Sequence, residues 1–435
     1  MTPLGRLRRA AIDVEPLRHT AFRRLWVGNS LGFVGFQLTA VAVPVQVFEL
    51  TGSSFWVGML GLAGLVPLVL FGLWGGAVAD AVDRRRLLLG SSLLLWACTG
   101  GLLVAAMTGL ASLPLLLGLV AVQAAGFAVA FSTRGAIVPR VLPASLVPSA
   151  NTLSFTASNL GMVLGPLLAG LILARWSFAA AYAADLAIFS IALYAALRLP
   201  AIPPSGPPIS PGLRSVVEGL AFIATRPVLL LSFAVDIVAM VLAMPRALFP
   251  ETAAGMGGRG VVGWLYAAIA LGAVLAGLSS GWIGRVGRQG VALVGAVIVW
   301  GLAVAAAGLV PSLWLMVLLL AVAGAADLVS AVYRQTILQT YAPDEMRGRM
   351  QGVFIVVVAG GPRLGDLRAG AAAAAFGVTV SWVGGALLAA ALVSLALLVP
   401  ALRRYDAHSP EAAARDSVRP GPGSRCTPCT SRPTR

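Results

Sequence analysis

Apolar runs of about twenty residues, each long enough as a helix to cross the ~30 Å hydrocarbon core of a bilayer, recur twelve times in this chain. They lie at roughly 25–49, 56–79, 87–108, 113–133, 150–174, 178–199, 228–249, 261–283, 291–310, 312–333, 351–375 and 378–401. Lipid offers no partner to backbone N–H and C=O groups, so a segment of this length must satisfy them internally, as an α-helix does. The expected fold class is therefore an all-α membrane protein with about twelve transmembrane helices. Composition agrees: 59% of the residues are hydrophobic, 11% are charged and the mean hydropathy is +0.91, far from the usage of water-soluble domains.

The formal net charge of +15 raises the question of nucleic acid, and the placement of the charge answers it. Every basic residue is arginine. Arg6, Arg8, Arg9, Arg18, Arg23 and Arg24 precede the first crossing, and Arg84 to Arg86, Arg134, Arg140, Arg198, Arg214, Arg226, Arg285, Arg288, Arg334, Arg347, Arg349, Arg403 and Arg404 fall on that same side of a twelve-crossing topology. Arg175, Arg246 and Arg259 fall opposite. The positive-inside rule then puts both termini in the cytoplasm, which demands an even number of crossings. Topology accounts for the arginine excess, so no nucleic-acid partner is expected, and the location is a cell inner (plasma) membrane, multi-pass.

No cleavable leader is expected, because the first apolar run is too long for a signal h-region. Three cysteines do not make a disulfide framework: Cys98 lies within an apolar run, and Cys426 and Cys429 form a lone CTPC pair in a tail rich in Pro, Gly, Ser and Arg. Two ligands are too few for a closed zinc site, and neither a metal nor a cofactor is expected. From 405 to 435 the apolar content is too low for a packed core.

The chain repeats after about 200 residues, the scale of a six-helix half. Arg134 to Pro143 (RGAIVPRVLP) aligns with Arg334 to Pro343 (RQTILQTYAP), and Gly165-Pro166 in the fifth crossing aligns with Gly361-Pro362 in the eleventh. The expected organisation is an N-terminal six-helix half over 1–199 and a C-terminal half over 228–404. Between them, 200–227 holds PPSGPP and an amphipathic stretch from Leu213 to Thr225, read as a linker whose helix lies on the cytoplasmic surface.

Between the second and third runs, 76–86 read GAVADAVDRRR. Gly76 permits close helix approach, Asp80 can accept hydrogen bonds at a neighbouring helix N-terminus, and the arginines from Arg84 hold the turn at an anionic membrane surface. That arrangement suits a latch between moving helices.

Ionisable side chains at membrane depth are costly and mark function or a partner. Arg363 and Asp366 are three residues apart on one face of the eleventh crossing, with Arg368 just beyond. One carboxylate neutralises one arginine, and the residual positive charge either attracts an anionic substrate or pairs with Asp327 in the tenth crossing or Asp236 in the seventh. A purely structural charge cluster is the competing reading. Asp236 is a candidate proton carrier, Glu49 lies near the outer end of the first crossing, and Asp185 in the sixth is read as scaffold. Asn29, Gln37 and Gln46 in the first crossing offer hydrogen bonds to a ligand or to neighbouring helices. In the fifth, Gly161, Gly165, Pro166, Ala169 and Gly170 combine small residues one turn apart with a proline bend, a hinge-capable pattern.

These motifs carry a resemblance. GAVADAVDRR, through Gly76, Asp80, Arg84 and Arg85, resembles the signature loop after the second helix of major facilitator superfamily transporters, with Ala81 and Asp83 replacing the family's Arg and second Gly. The fifth crossing resembles the Gly-x-x-x-Gly-Pro-x-x-Gly-Gly motif of the superfamily's drug:proton antiporters, with Ala169 for the penultimate Gly. The fourth-helix Arg of many such antiporters is not found: Gln123 and Gly126 lie there, and Arg134 falls at the loop edge. Longer strings, among them LRHTAFRRLWVGNSLGFVG (17–35), FELTGSSFWVGMLGL (48–62), PDEMRGRMQGVF (343–354) and GGPRLGDLRAG (360–370), are similar to the enterobactin-exporter-like branch of siderophore and drug exporters. The resemblance implies a major facilitator fold of two six-helix pseudo-repeats, with the first, fourth, seventh and tenth helices lining a midplane cavity. It also implies proton-driven outward movement of a siderophore-like anionic metabolite or an unrelated toxin.

The expected protein is thus a secondary transporter with a small-molecule substrate, protons as coupling ion and the lipid bilayer as partner, monomeric and not an enzyme. His19 and His408 are both terminal, and no nucleophile with a positioned base lies within the crossings. A Gly-x-x-x-x-Gly-Lys-(Ser/Thr) nucleotide loop cannot exist in a chain without lysine. Multidrug efflux is the alternative function, and a non-transporting sensor or membrane partner is the third reading.

Overall fold

The computed structural model describes residues 13–203, 213–341, 347–403 and 405, and at 73–77, 79–81, 213–217, 219, 341 and 347–356 the backbone alone. The chain folds as α1 (Thr20–Thr51), α2 (Ser54–Ala81), α3 (Arg84–Thr108), α4 (Leu113–Val141), α5 (Val147–Arg175) and α6 (Phe178–Leu197). A short α7 (Leu213–Ala224) follows, where the sequence predicts an amphipathic linker helix. Then come α8 (Pro227–Ala243), α9 (Phe249–Met256), α10 (Arg259–Leu278), α11 (Gln289–Ala307), α12 (Leu313–Tyr341), α13 (Arg347–Phe376) and α14 (Gly385–Ser394). A π-helical turn, Val380–Gly384, runs into α14. The tail and its CTPC pair fall outside the described residues.

Turn chemistry sets the boundaries. Gly52 and Gly109 end α1 and α3 with φ of 63° and 70°, values natural to glycine. Ser53 caps α2 by accepting from the Phe55 N–H, and Asp83 caps α3 by accepting from the N–H groups of Arg85 (2.8 Å) and Arg86 (3.3 Å). Asp83, the departure from the superfamily signature, is therefore the residue that starts α3. Arg85 Nη2 donates to the Leu197 carbonyl (2.7 Å), pinning the hairpin to the end of α6, and Arg24 Nη1 of α1 donates to that of Arg198 (2.8 Å). At the same end, the Asp13 carboxylate accepts from the Glu15 N–H and the Ser149 hydroxyl, which hold it below the usual carboxylate range.

Eleven of the described spans are long and apolar enough to cross a bilayer. The twelfth is α13, thirty residues long, whose apolar average is lowered by Arg363, Asp366 and Arg368. It packs between α2 and α8, where those charges find partners. Burial is arranged for lipid. Leu278, Leu398, Leu110 and Met107 stand largely exposed, while Thr39, Gln46, Gln123, Asp185, Asp236 and Arg334 are buried inside the bundle.

Three expectations are corrected by the helix ends. The seventh run is not one helix: α8 stops at Ala243, Met244 and Pro245 break it, and a 3₁₀ turn (Arg246–Leu248) leads into α9. Arg246, read as falling on the side opposite the termini, is thereby carried inside. The fourth and tenth crossings both run past the arginine at which the apolar pattern stops, so Arg134 and Arg334 lie within α4 and α12 rather than at loop edges.

Helices from the two halves of the sequence meet most closely at the end opposite the arginine-rich turns. There α2 lies along α13, from Ser54 against Gly370 to Gly61 against Arg363, and α5 meets α10 at Gly170 and Gly263. A Cβ on Gly170 would stand 2.8 Å from the Gly263 Cα, so these backbones are in direct contact. Glu49 closes the same end as a two-pronged ion pair with Arg259 (2.5 Å on each arm), Arg259 lies over the Phe178 ring, and Ser54 Oγ donates to Glu251. Glu49, at the outer end of the first crossing, thus has a cationic partner.

Candidate central transport site

The break in α8 builds the site. A cavity of about 340 Å³ is lined by α1 (Phe36, Thr39, Val43), α2 (Val57, Leu60, Gly61), α4 (Val120, Gln123, Phe127), the 3₁₀ turn (Arg246, Ala247), Tyr266 of α10 and Pro362, Arg363 and Asp366 of α13. Non-helical backbone at membrane depth is tolerated where it lines such a space. The backbone of Ala247 lies beside Asp366, whose carboxylate is in the field of Arg246 and Arg363. The Tyr266 hydroxyl donates to the Arg246 carbonyl (3.1 Å), and the Arg246 guanidinium lies 5.9 Å from the Tyr266 ring centre. Arg363 reaches along α2 because Gly61 and Gly64 leave it room: a Cβ on Gly64 would collide with Nη1 of Arg363.

Two guanidinium groups and one carboxylate leave the cavity with a net positive charge. Arg246 was invisible as a site residue in the sequence, and the one signal for it was the Met-Pro-Arg sequence interrupting an apolar run. A second element also emerges from the fold. Phe36 and Phe127 stack at 4.5 Å, flanked by Phe33 (6.4 Å from Phe36) and Phe131 (6.1 Å from Phe127), an aromatic track leading from the cavity towards the arginine-rich end.

The remaining expected residues distribute as follows. Asp236 forms a buried ion pair with Arg334, and Asp327 Oδ1 lies 4.0 Å from Arg334 Nη2, so both carboxylates serve the tenth-crossing arginine and neither pairs with Arg363. In the other half, Arg134 Nη1 donates to Asn29 Oδ1 (2.8 Å), the counterpart of the Arg334 site under the internal repeat. Gly161 and Gly165 of the fifth crossing pack on Phe33 and Gln37 of α1, and Gly170 on Gly263. Gln37 meets α5 there and is not among the cavity's lining residues. Gly76 and Asp80 lie in the last turns of α2, with side chains outside the described set.

Arg368 also turns away from the cavity. Its Nε donates to the Val241 carbonyl (3.2 Å), Nη2 to that of Leu242, and Nη1 to that of Ser381 (3.0 Å). The Val241 and Leu242 carbonyls are left open by the end of α8, and that of Ser381, which also accepts from the Gly385 N–H, gains a second donor, so Arg368 works as a cap for a broken helix. Gly385 makes room for it, since a Cβ there would lie 2.5 Å from Nη1. Arg368→Leu is expected to unpair the Val241 and Leu242 carbonyls and lower the thermal unfolding midpoint in detergent by several degrees, with about 1–3 kcal/mol lost per stranded group. Substrate preference should stay as in the parent. A change of preference with unaltered stability would instead put Arg368 in the cavity.

Residues 11–420 match the family described as transmembrane secretion effector. The enterobactin exporter EntS of Shigella boydii serotype 18 (strain CDC 3083-94 / BS512) is 30% identical over 412 residues, covering 92% of this chain and 96% of its own length. EntS of Escherichia coli O81 (strain ED1a) matches to the same extent. Among solved structures, a bacterial homologue of the human lysosomal transporter Spinster, inward-facing and unoccupied, superposes with a TM-score of 0.69 at 16% identity, over 93% of this chain and 99% of that one. The D-xylose–proton symporter does so with a TM-score of 0.68 at 12% identity, over 89% and 100%. With the fold, the cavity and this coverage together, the chain belongs to the transmembrane secretion effector family of major facilitator superfamily transporters: it is a multi-pass membrane protein that binds a small-molecule substrate, and not an enzyme.

Proposed function

We propose that this transporter exports a siderophore-like anionic metabolite across the cell's inner (plasma) membrane by proton antiport. The observation that carries the reading is the net positive cavity, in which Arg246 and Arg363 outnumber Asp366 beside an aromatic track. Guanidinium groups favour planar anions, and aromatic rings favour a flat partner. A catecholate offers both. The likeness to the enterobactin exporters supports the same direction and cargo class.

In this reading the arginine-rich end is cytoplasmic, and residues 1–199 and 228–404 act as two halves rocking about the cavity, joined by a linker at 200–227. The closed Glu49–Arg259 end supports reading the described state as inward-facing. Gly76, Asp80, Arg84 and Arg85 form the latch that holds the cytoplasmic end when it closes, and Gly161, Gly165, Pro166 and Gly170 let α5 flex. The protein works as a monomer.

Everted vesicles carrying the protein should accumulate 2,3-dihydroxybenzoate when a proton gradient is imposed, lose that accumulation when the gradient is dissipated, and gain nothing from ATP alone. Arg363→Gln should raise the apparent KM for the catecholate more than for a cationic dye. Equal losses for both cargoes would remove Arg363 from anion recognition. Gradient-independent, ATP-driven uptake would refute antiport. Multidrug efflux is the second reading, favoured by the Phe33, Phe36, Phe127 and Phe131 track, which would take cationic aromatics as readily. It predicts dye transport undiminished by Arg363→Gln and no retention of an iron chelator in iron-starved cells lacking the protein.

A further inference from the structure

We infer that Asp185 is the residue that carries the coupled proton, an inference resting on the antiport reading above. The carboxylates expected to handle protons or substrate all face arginine: Asp236 and Asp327 share Arg334, and Asp366 lies between Arg246 and Arg363. A proton added to Asp236 or Asp366 strands a guanidinium in a low-dielectric interior, which opposes repeated loading and release, and Asp327 is a second, half-exposed neighbour of an Arg334 already paired with Asp236. Asp185 is placed differently.

It is 1% exposed in the middle of α6, and its described partners are neutral. Thr39 Oγ1 of α1 donates to Oδ2 (2.6 Å), as does Thr99 Oγ1 of α3 (3.2 Å), while Oδ1 has no hydrogen-bond partner and lies against Gly35 of α1. A hydroxyl accepts as well as it donates. Thr39 and Thr99 can therefore satisfy the carboxylate by donating and the acid by accepting, so the same contacts serve both states. The charged residues on the helices packed against α6 lie near the helix ends: Arg23, Arg24 and Glu49 on α1, Arg84 to Arg86 on α3, and Arg175 on α5. At mid-depth the titratable groups are Tyr182, one turn before Asp185 and donating to Gln46 (2.6 Å), and the buried Cys98 beside Thr99.

The site is also one residue from the cavity. Thr39 lines it, and so does Gln123, whose Nε2 lies 3.5 Å from Thr99 Oγ1. A proton taken from cavity water on one face of the membrane can pass by way of Thr39 to the carboxylate and be returned to cavity water after the halves rock. No other bond forms or breaks. This geometry separates the proton site in α6 from the cargo site at Arg246 and Arg363, so the two compete through conformation rather than through a shared contact.

The full-length protein in liposomes with a trapped pH-sensitive dye provides the test. Movement of 2,3-dihydroxybenzoate down its gradient should drive opposing proton movement in the parent. In Asp185→Asn the proton movement should fall by at least ~10-fold, while catecholate exchange at equal pH changes by less than ~3-fold. Proton movement retained in Asp185→Asn, or lost only in step with exchange, overturns the inference. A second readout does not depend on cargo: pH-difference infrared spectra of the parent should contain a carboxylic-acid C=O band that is absent from Asp185→Asn. No such band in the parent, or an unchanged band in the variant, overturns the assignment. If Asp185→Asn fails to accumulate, Thr99→Val should shift the pH midpoint of the band, and an unmoved midpoint counts against Asp185. Absence of proton movement in the parent would refute antiport itself, with the infrared result still judging Asp185.

Discussion

Arg334→Leu is expected to be the most damaging single change in the C-terminal half, because it leaves the Asp236 carboxylate buried without its counter-ion. Breaking such a pair by removing one partner costs about 3–5 kcal/mol, a large part of any protein's stability. Purified Arg334→Leu should be scarce and should unfold several degrees below the parent in detergent, and Asp236→Asn should behave similarly. The double change Arg334→Leu, Asp236→Leu removes both charges and should recover much of the lost stability. Asp327, half-exposed and 4.0 Å from Arg334, has more freedom to find water, so Asp327→Asn should cost less. A double whose loss equals the sum of the two single losses would mean that the two side chains act independently and that the ion pair is not what holds α8 to α12.

This pair also marks where a linear reading stops. The twelve crossings, a helix over Leu213–Ala224 and the charged stretch of α13 were legible, because helix length and apolar content are local properties that lipid enforces. The positions of Arg134 and Arg334 were not. A hydropathy pattern ends where a charge begins, yet both helices run on because Asn29 in one case and Asp236 in the other supply partners from helices about a hundred residues away in sequence. Arg246 was misplaced for a related reason. The run over 228–249 reads straight through Met-Pro-Arg, whereas the fold uses it to break α8 at the cavity wall, with Arg368 of α13 capping the carbonyls left open. Of the three ionisable residues singled out in α13, spacing grouped Arg363 with Asp366 and set Arg368 a little beyond, but it could not say which of them would face the cavity.

The largest effect on transport is expected at the closed end, from Gly263→Val. The Gly170 Cα and the Pro166 carbonyl of α5 stand at 2.9 Å and 2.5 Å from where a Cβ on Gly263 would lie, and both are backbone, which cannot swing aside. Overpacking of this kind costs about 1–3 kcal/mol. Charged only to the state in which α5 and α10 touch, that cost would tilt the closed-to-open ratio by roughly 5- to 150-fold. Ser54 reports the change, since it is 3% exposed in the described state, at the start of α2 against Gly370 of α13. In a Ser54→Cys background, Gly263→Val should raise labelling by a membrane-impermeant maleimide added from outside the cell and reduce export to a small fraction of the parent's. Gly90→Val on α3 is the matched control, because a Cβ there meets no atom within 4 Å and neither readout should change. If Gly263→Val leaves both labelling and export at the parent's level, the α5–α10 contact is not a closure surface, and the two halves must seal the outer end elsewhere.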